Sequence, residues 1–156
     1  MKGRPKRGFY LPLLIGVHLF CADEACATLG QDAASVQSDA AVLHGSLQSN
    51  AMTQYVVHDI DGATGLRVRE YLNAEGRVFA VTWKGAAMPD LQQLLGSNYA
   101  AFSRSFAATA HPGLRRAARF VMPGLVVEFG GHLRAYVGRA YLPAAMPTGM
   151  TAADLQ

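Results

Sequence analysis

Residues 66–83 read LRVREYL-NAEG-RVFAVTW, and this stretch decides the fold class. In its first run Leu66, Val68, Glu70 and Leu72 alternate with Arg67, Arg69 and Tyr71. Period two is the mark of a half-buried β-strand, because successive side chains leave a strand on opposite faces. Asn73-Ala74-Glu75-Gly76 supplies a short connection, with Asn first and Gly fourth as a tight turn requires. The chain then returns over 77–83 with Phe79, Val81 and Trp83 on one face. The stretch is a β-hairpin, so the domain is built on an antiparallel sheet.

Working outward, Tyr55 to Ile60 reads as a preceding strand and Asp61-Gly62-Ala63-Thr64-Gly65 as the turn between them. Downstream, Gly85 to Met88 breaks the pattern and Pro89-Asp90 opens a helix, with a carboxylate placed to favour the dipole. Leu91, Leu94, Leu95, Tyr99, Phe102 and Phe106 recur at three- and four-residue steps and give that helix, Asp90 to Ala108, one apolar stripe. His111-Pro112-Gly113 stops it. Phe120 to Phe129 is β-rich but interrupted at Pro123-Gly124, which means two short strands or one strand with a turn or bulge. Gly130-Gly131 is a two-residue hairpin signal, after which His132 to Leu142 runs back. The expectation is an α+β domain with an antiparallel sheet of about five strands, ordered β-β-β-α-β-β, and one amphipathic helix packed on a face.

The remaining segments flank that unit. Residues 28–50 are rich in Ala, Ser, Gln and Asp, carry few large apolar residues and read as a flexible lead-in. Residues 51–145 form the single domain, and 146–156 an irregular tail or short terminal helix. Residues 1–27 read as a signal peptide. Lys2, Arg4, Lys6 and Arg7 form its positive head, Phe9 to Ala22 its apolar run, and Ala25-Cys26-Ala27 its small-x-small cleavage site. The apolar run is shorter than the roughly 20 residues a membrane span needs, so no stable span is expected after cleavage. The expected location is periplasmic or secreted.

Cleavage changes the charge. The chain has 14 Lys+Arg and 11 Asp+Glu, of which the first 27 residues hold four and two, leaving 10 against 9. A net charge near +1 argues against nucleic acid as a partner, since such binders keep a strong basic field. Both cysteines, Cys21 and Cys26, lie in the removed segment, so no disulfide, thiolate metal site or Cys nucleophile remains. Neither follows the small residues a lipid-anchoring signal places before its cysteine.

Several blocks resemble the domain-of-unknown-function 2844 family of small exported proteobacterial proteins. They are Val68-Arg69-Glu70-Tyr71, Val78-Phe79-Ala80-Val81 with Trp83 and Gly85, Pro89-Asp90-Leu91 with Leu94-Leu95-Gly96, Gly124-Leu125-Val126-Val127-Glu128, Gly130-Gly131-His132 and Arg139-Ala140-Tyr141-Leu142-Pro143. The resemblance implies export and a single domain. It supplies no activity, and no catalytic residue is carried over.

Catalytic chemistry is poorly supported by the residues themselves. His132 with Glu128 nearby is the one acid–base candidate, and a hydrolase using that pair is the alternative to a non-enzymatic role. His132 is expected at an exposed hairpin end. Asp59 to Glu70 departs from a calcium loop, because Ala63 and Thr64 stand where an oxygen ligand and the turn glycine belong. The histidines show no metal-ligand spacing, and neither a cofactor nor a metal is expected. Arg115, Arg116 and Arg119 form the basic cluster of the mature chain, and with Arg134 and Tyr136 they are the candidate ligand-binding residues. The reading is a binding or structural module of the cell envelope with an unknown envelope component or protein as partner.

Overall fold

The computed structural model describes residues 29–109 and 117–156. Its centre is a seven-stranded antiparallel sheet. The strands are β1 (Ser46–Ala51), β2 (Val56–Asp61), β3 (Arg67–Leu72), β4 (Val78–Gly85), β5 (Ala117–Met122), β6 (Leu125–His132) and β7 (Ala135–Tyr141). Their order across the sheet is β1-β2-β3-β4-β7-β6-β5. The hairpin at 66–83 forms, with Val68 opposite Trp83 and Glu70 opposite Val81, but a register shift at Tyr71/Leu72 puts Phe79 on the face opposite Val81 and Trp83 rather than beside them.

Two departures from the expected five strands have physical causes. Residues 28–50, expected to be a flexible lead-in, contain helix α1 (Ala33–Val42) and strand β1. β1 is an edge strand with a largely exposed polar sequence, SLQSNA, so it lacks the alternation that reveals a half-buried strand. α1 buries Val36 and Ala40 but also Asp39, and that acid interrupts the apolar stripe. Asp32 marks its start, with a side chain that accepts from the Ala34 N–H at 3.0 Å. The second departure lies beyond the helix. Pro123-Gly124 is a full hairpin turn, with Gly124 at φ 76°, so 117–132 makes two strands.

The turn expected at Gly130-Gly131 lies three residues further on. Both glycines run inside β6, and Leu133-Arg134 makes the turn with Arg134 at φ 68°. Gly131 permits close backbone approach instead: a Cβ there would stand 2.1 Å from the Ala135 carbonyl oxygen. The helix expected over Asp90 to Ala108 is also divided. Asp90 caps α2 (Leu91–Leu95), Gly96 takes φ 49°, and after one 3₁₀ turn α3 (Tyr99–Ala107) continues. The stop at His111-Pro112-Gly113 lies outside the described residues.

The helices cover one face of the sheet. Val36 and Ala40 of α1, Leu94 and Leu95 of α2 and Phe102 of α3 pack with Ile60, Val68, Val81, Trp83 and Val127. Phe102 meets Phe120 edge-on at 5.5 Å and Phe129 at 6.2 Å. Apart from the extra elements, this is the expected stripe-on-sheet packing. The opposite face carries no α-helix among the described residues. Residues 143–156 cross part of it, and Leu155 is buried with Val57, Tyr71, Phe79, Val126 and Tyr141. Among the described residues no helix is long and apolar enough to cross a membrane.

Candidate functional site

Strand register arranges the helix-free face in three rows that cross the sheet. The first, Val57-Tyr71-Ala80-Tyr141-Val126-Val121, is apolar for most of its length and lies largely under the tail. Two residues along each strand, about 7 Å away, the second row reads Asp59-Arg69-Thr82-Arg139-Glu128-Arg119. The third reads Asp61-Arg67-Lys84-Val137-Gly130-Ala117. The small side chains at the end of that row leave a depression. A cleft of about 750 Å³ opens over the second and third rows, with Leu155 and Gln156 of the tail on its rim.

Five cations line this cleft, Arg67, Arg69, Lys84, Arg119 and Arg139, against one lining carboxylate, Glu128. Glu128 is held from both sides. Its Oε2 accepts from Arg139 Nε at 2.6 Å, and its Oε1 lies 2.9 Å from Arg119 Nε. Beyond the rim, Asp59 pairs with Arg69 Nε and Asp61 with Arg67 Nε at 2.6 Å. Each arginine thus meets its carboxylate through Nε. Two of them also hold the tail: Arg69 Nη1 donates to the Gln156 main-chain oxygen at 3.0 Å, and Arg139 Nη1 to the Ala152 carbonyl oxygen. Tyr71 Oη and Thr82 Oγ1 donate to the same Gln156 oxygen at 2.8 and 3.2 Å. Among the described residues Lys84 makes no ion pair, and the Nη groups of Arg67 and Arg119 donate no hydrogen bond to the protein.

The residues singled out from the sequence divide around this cleft. Glu128 and Arg119 line it. His132, Arg134 and Tyr136 do not. His132 is exposed, and its Nδ1 lies 3.2 Å from the Leu133 carbonyl oxygen. Four residues of strand, roughly 13 Å, separate it from Glu128, whose oxygens are both engaged by arginines. Arg115 and Arg116 lie outside the described residues. Sequence reasoning missed Arg67, Arg69, Lys84 and Arg139. The i, i+2 spacing of Arg67 and Arg69 on the polar face of a strand was the available signal. Arg139 and Lys84 join them only through register.

A second polar group lies on the opposite face, under the helices. Asp39 of α1 and Glu70 of β3 are 0 % and 2 % exposed. Gln93 Nε2 donates to Asp39 Oδ1 at 2.8 Å, and Glu70 hydrogen-bonds Asp39. Burial, followed by the hydrogen bond and charge of Asp39, pushes the Glu70 carboxyl up to about 9. Glu70 therefore keeps its proton at neutral pH and is the donor in that bond. His58 is its cross-strand neighbour, held by Ser49 at 2.7 Å, and burial lowers its pKa. Asp59, next in sequence, points to the other face and pairs with Arg69, so the sequence from Asp59 to Glu70 does not converge on a cation. Among the described residues no group of three His, Cys, Asp or Glu side chains is placed to hold a metal ion.

Fold and site together define a seven-stranded antiparallel α+β domain with a cationic cleft on its helix-free face. The family described as protein of unknown function (DUF2844) matches residues 25–155, and the chain belongs to that family. No curated protein and no solved structure matches the chain.

Proposed function

We propose that this protein is an exported, non-enzymatic binding module of the cell envelope, and that the cleft over β3, β4, β7, β6 and β5 is its ligand site. The observation that carries the reading is the cleft itself. Its volume, about 750 Å³, falls within the range of small-molecule sites, and it combines an apolar and glycine floor with a few convergent polar groups. The hydrolase alternative draws less support. A general base must reach the proton it removes, and His132 stands exposed and well away from Glu128. Glu128 instead spaces two arginines. Export is supported by the charged head, apolar run and Ala25-Cys26-Ala27 site, and by a family match that begins at residue 25, beside the expected cut.

Native mass spectrometry of the protein recovered from an envelope fraction tests both parts. The expected species is a chain starting at Thr28, with no cysteine, that retains a small molecule. Val137→Phe fills the cleft from a half-exposed strand position and should abolish that retention. Protein beginning at Met1 in the cytoplasmic fraction would overturn export. A small molecule bound equally by Val137→Phe, or by neither protein, would overturn the cleft as the site.

A further inference from the structure

The chemical class of the ligand follows from how the cleft's charges are spent. The geometry points to an amphiphilic organic anion, a carboxylate or phosphate head on an apolar body, as the molecule this cleft takes. The inference rests on the cleft being a ligand site, as proposed above. Five side-chain cations line the cleft and one side-chain carboxylate answers them from within. Counting Asp59 and Asp61 beyond the rim, side-chain cations still outnumber side-chain carboxylates by two. A surface that merely neutralised itself would not hold Arg119 and Arg139 on the same Glu128, nor leave Lys84 without an ion pair among the described residues.

The donors still available mark where the head would sit. Arginine engaged at Nε keeps its terminal Nη groups, which form a planar fork suited to two oxygens of one anion. Arg67 beside Lys84 presents such donors at one end of the third row, and Arg119 presents them across the sheet. Between these poles the floor is Val137, Gly130 and Gly138, with Leu155 of the tail at the rim. Gly138 is required by the other face, where a Cβ would meet Trp83 Cζ2 at 2.3 Å, and it leaves only backbone toward the cleft. A ligand charged throughout would leave this floor unused, and a neutral one would leave the cations unanswered. An apolar body with an anionic head uses both.

The Trp83 indole packs under the helices, so occupancy of the cleft is read by isothermal titration calorimetry. The mature protein is titrated with decanoate, decyl phosphate and decanol, each below its micelle concentration. Decanoate and decyl phosphate are expected to bind at least about tenfold more tightly than decanol, the effect of one good charge-assisted hydrogen-bonded contact. Raising salt should weaken the two anions and leave decanol unchanged. Arg119→Gln and Lys84→Gln should each reduce anion affinity several-fold without altering decanol binding or the melting temperature. Vesicles of phosphatidylglycerol form the last arm. Binding to them that decanoate competes away identifies a lipid head group, and decanoate binding without vesicle binding identifies a free amphiphile. Decanol binding as tightly as decanoate would overturn the anion while leaving the cleft as a site. Failure of all three probes, with a small molecule still retained in native mass spectrometry, would also overturn it. Failure of the probes with nothing retained would bring down the binding module itself.

Discussion

Glu70 and Glu128 sit on opposite faces of one sheet and meet opposite fates. Glu70 faces α1, where it is 2 % exposed, touches a second acid and keeps its proton. Glu128 faces the cleft and is gripped by Arg119 and Arg139. Burial penalises charge under the helices, and the neighbour there is another carboxylate, so the group stays neutral. On the other face water and guanidinium groups support the charge. One side chain thus serves as a neutral hydrogen-bond donor joining helix to sheet and as an anionic spacer between cations. The helix-covered face is built for packing and the open one for charge.

The sharpest way to test that division is to empty the packed face. Leu95 is fully buried, so Leu95→Ala should cost about 2–5 kcal/mol in chemical denaturation. A loss below about 0.5 kcal/mol would mean that the helices do not seal this face.

The buried acid pair gives the next effect, through pH. Glu70 has a folded-state pKa raised to about 9 from an ordinary 4.5, so its contribution to stability is complete below the ordinary value. Between the two values the unfolded chain releases the proton and the folded one retains it. Stability should therefore fall as pH rises, at up to about 1.4 kcal/mol per pH unit. His58, lowered by burial, acts in the acid range with the opposite sign, so the measurement belongs between about pH 7 and pH 9. Glu70→Gln keeps the shape and removes the proton, and should flatten the slope. An unchanged slope in that variant would assign the pH dependence to another group.

On the open face the same substitution should do far less. Glu128→Gln breaks two ion pairs whose arginine side chains are 31 % and 63 % exposed, and the expected cost is about 1 kcal/mol or less. A loss comparable to that of Leu95→Ala would show Glu128 to be structural and erase the contrast. The smallest effect belongs to Arg119→Gln, which should change thermal stability by no more than about 0.5 kcal/mol while reducing anion binding. Equal affinity in that variant would remove Arg119 from the site.

The hairpin at 66–83 was legible from residue order alone, because alternation and a Gly-terminated turn are local properties of the chain. The stripe from Leu91 to Phe102 was legible for the same reason, although the helix divides at Gly96. The α1–β1 segment was not, since Asp39 interrupts one pattern and the edge strand has little pattern to show. Gly130-Gly131 misled because glycine serves close backbone approach as readily as a turn, and the two uses look alike in one dimension. The cleft was almost invisible. Arg67, Arg69 and Lys84 are 55–72 residues before Arg139 along the chain, and no spacing rule connects them. The sequence by itself determined the paired strands at 66–83 and the shared face of Arg67 and Arg69, because both depend on neighbours two to four positions away. The order β1-β2-β3-β4-β7-β6-β5 decided the rest: it set β7 beside β4, brought cations from four strands onto one face and returned residues 143–156 across it. Strand order and register depend on contacts between distant segments, which become definite only when the whole sheet has formed.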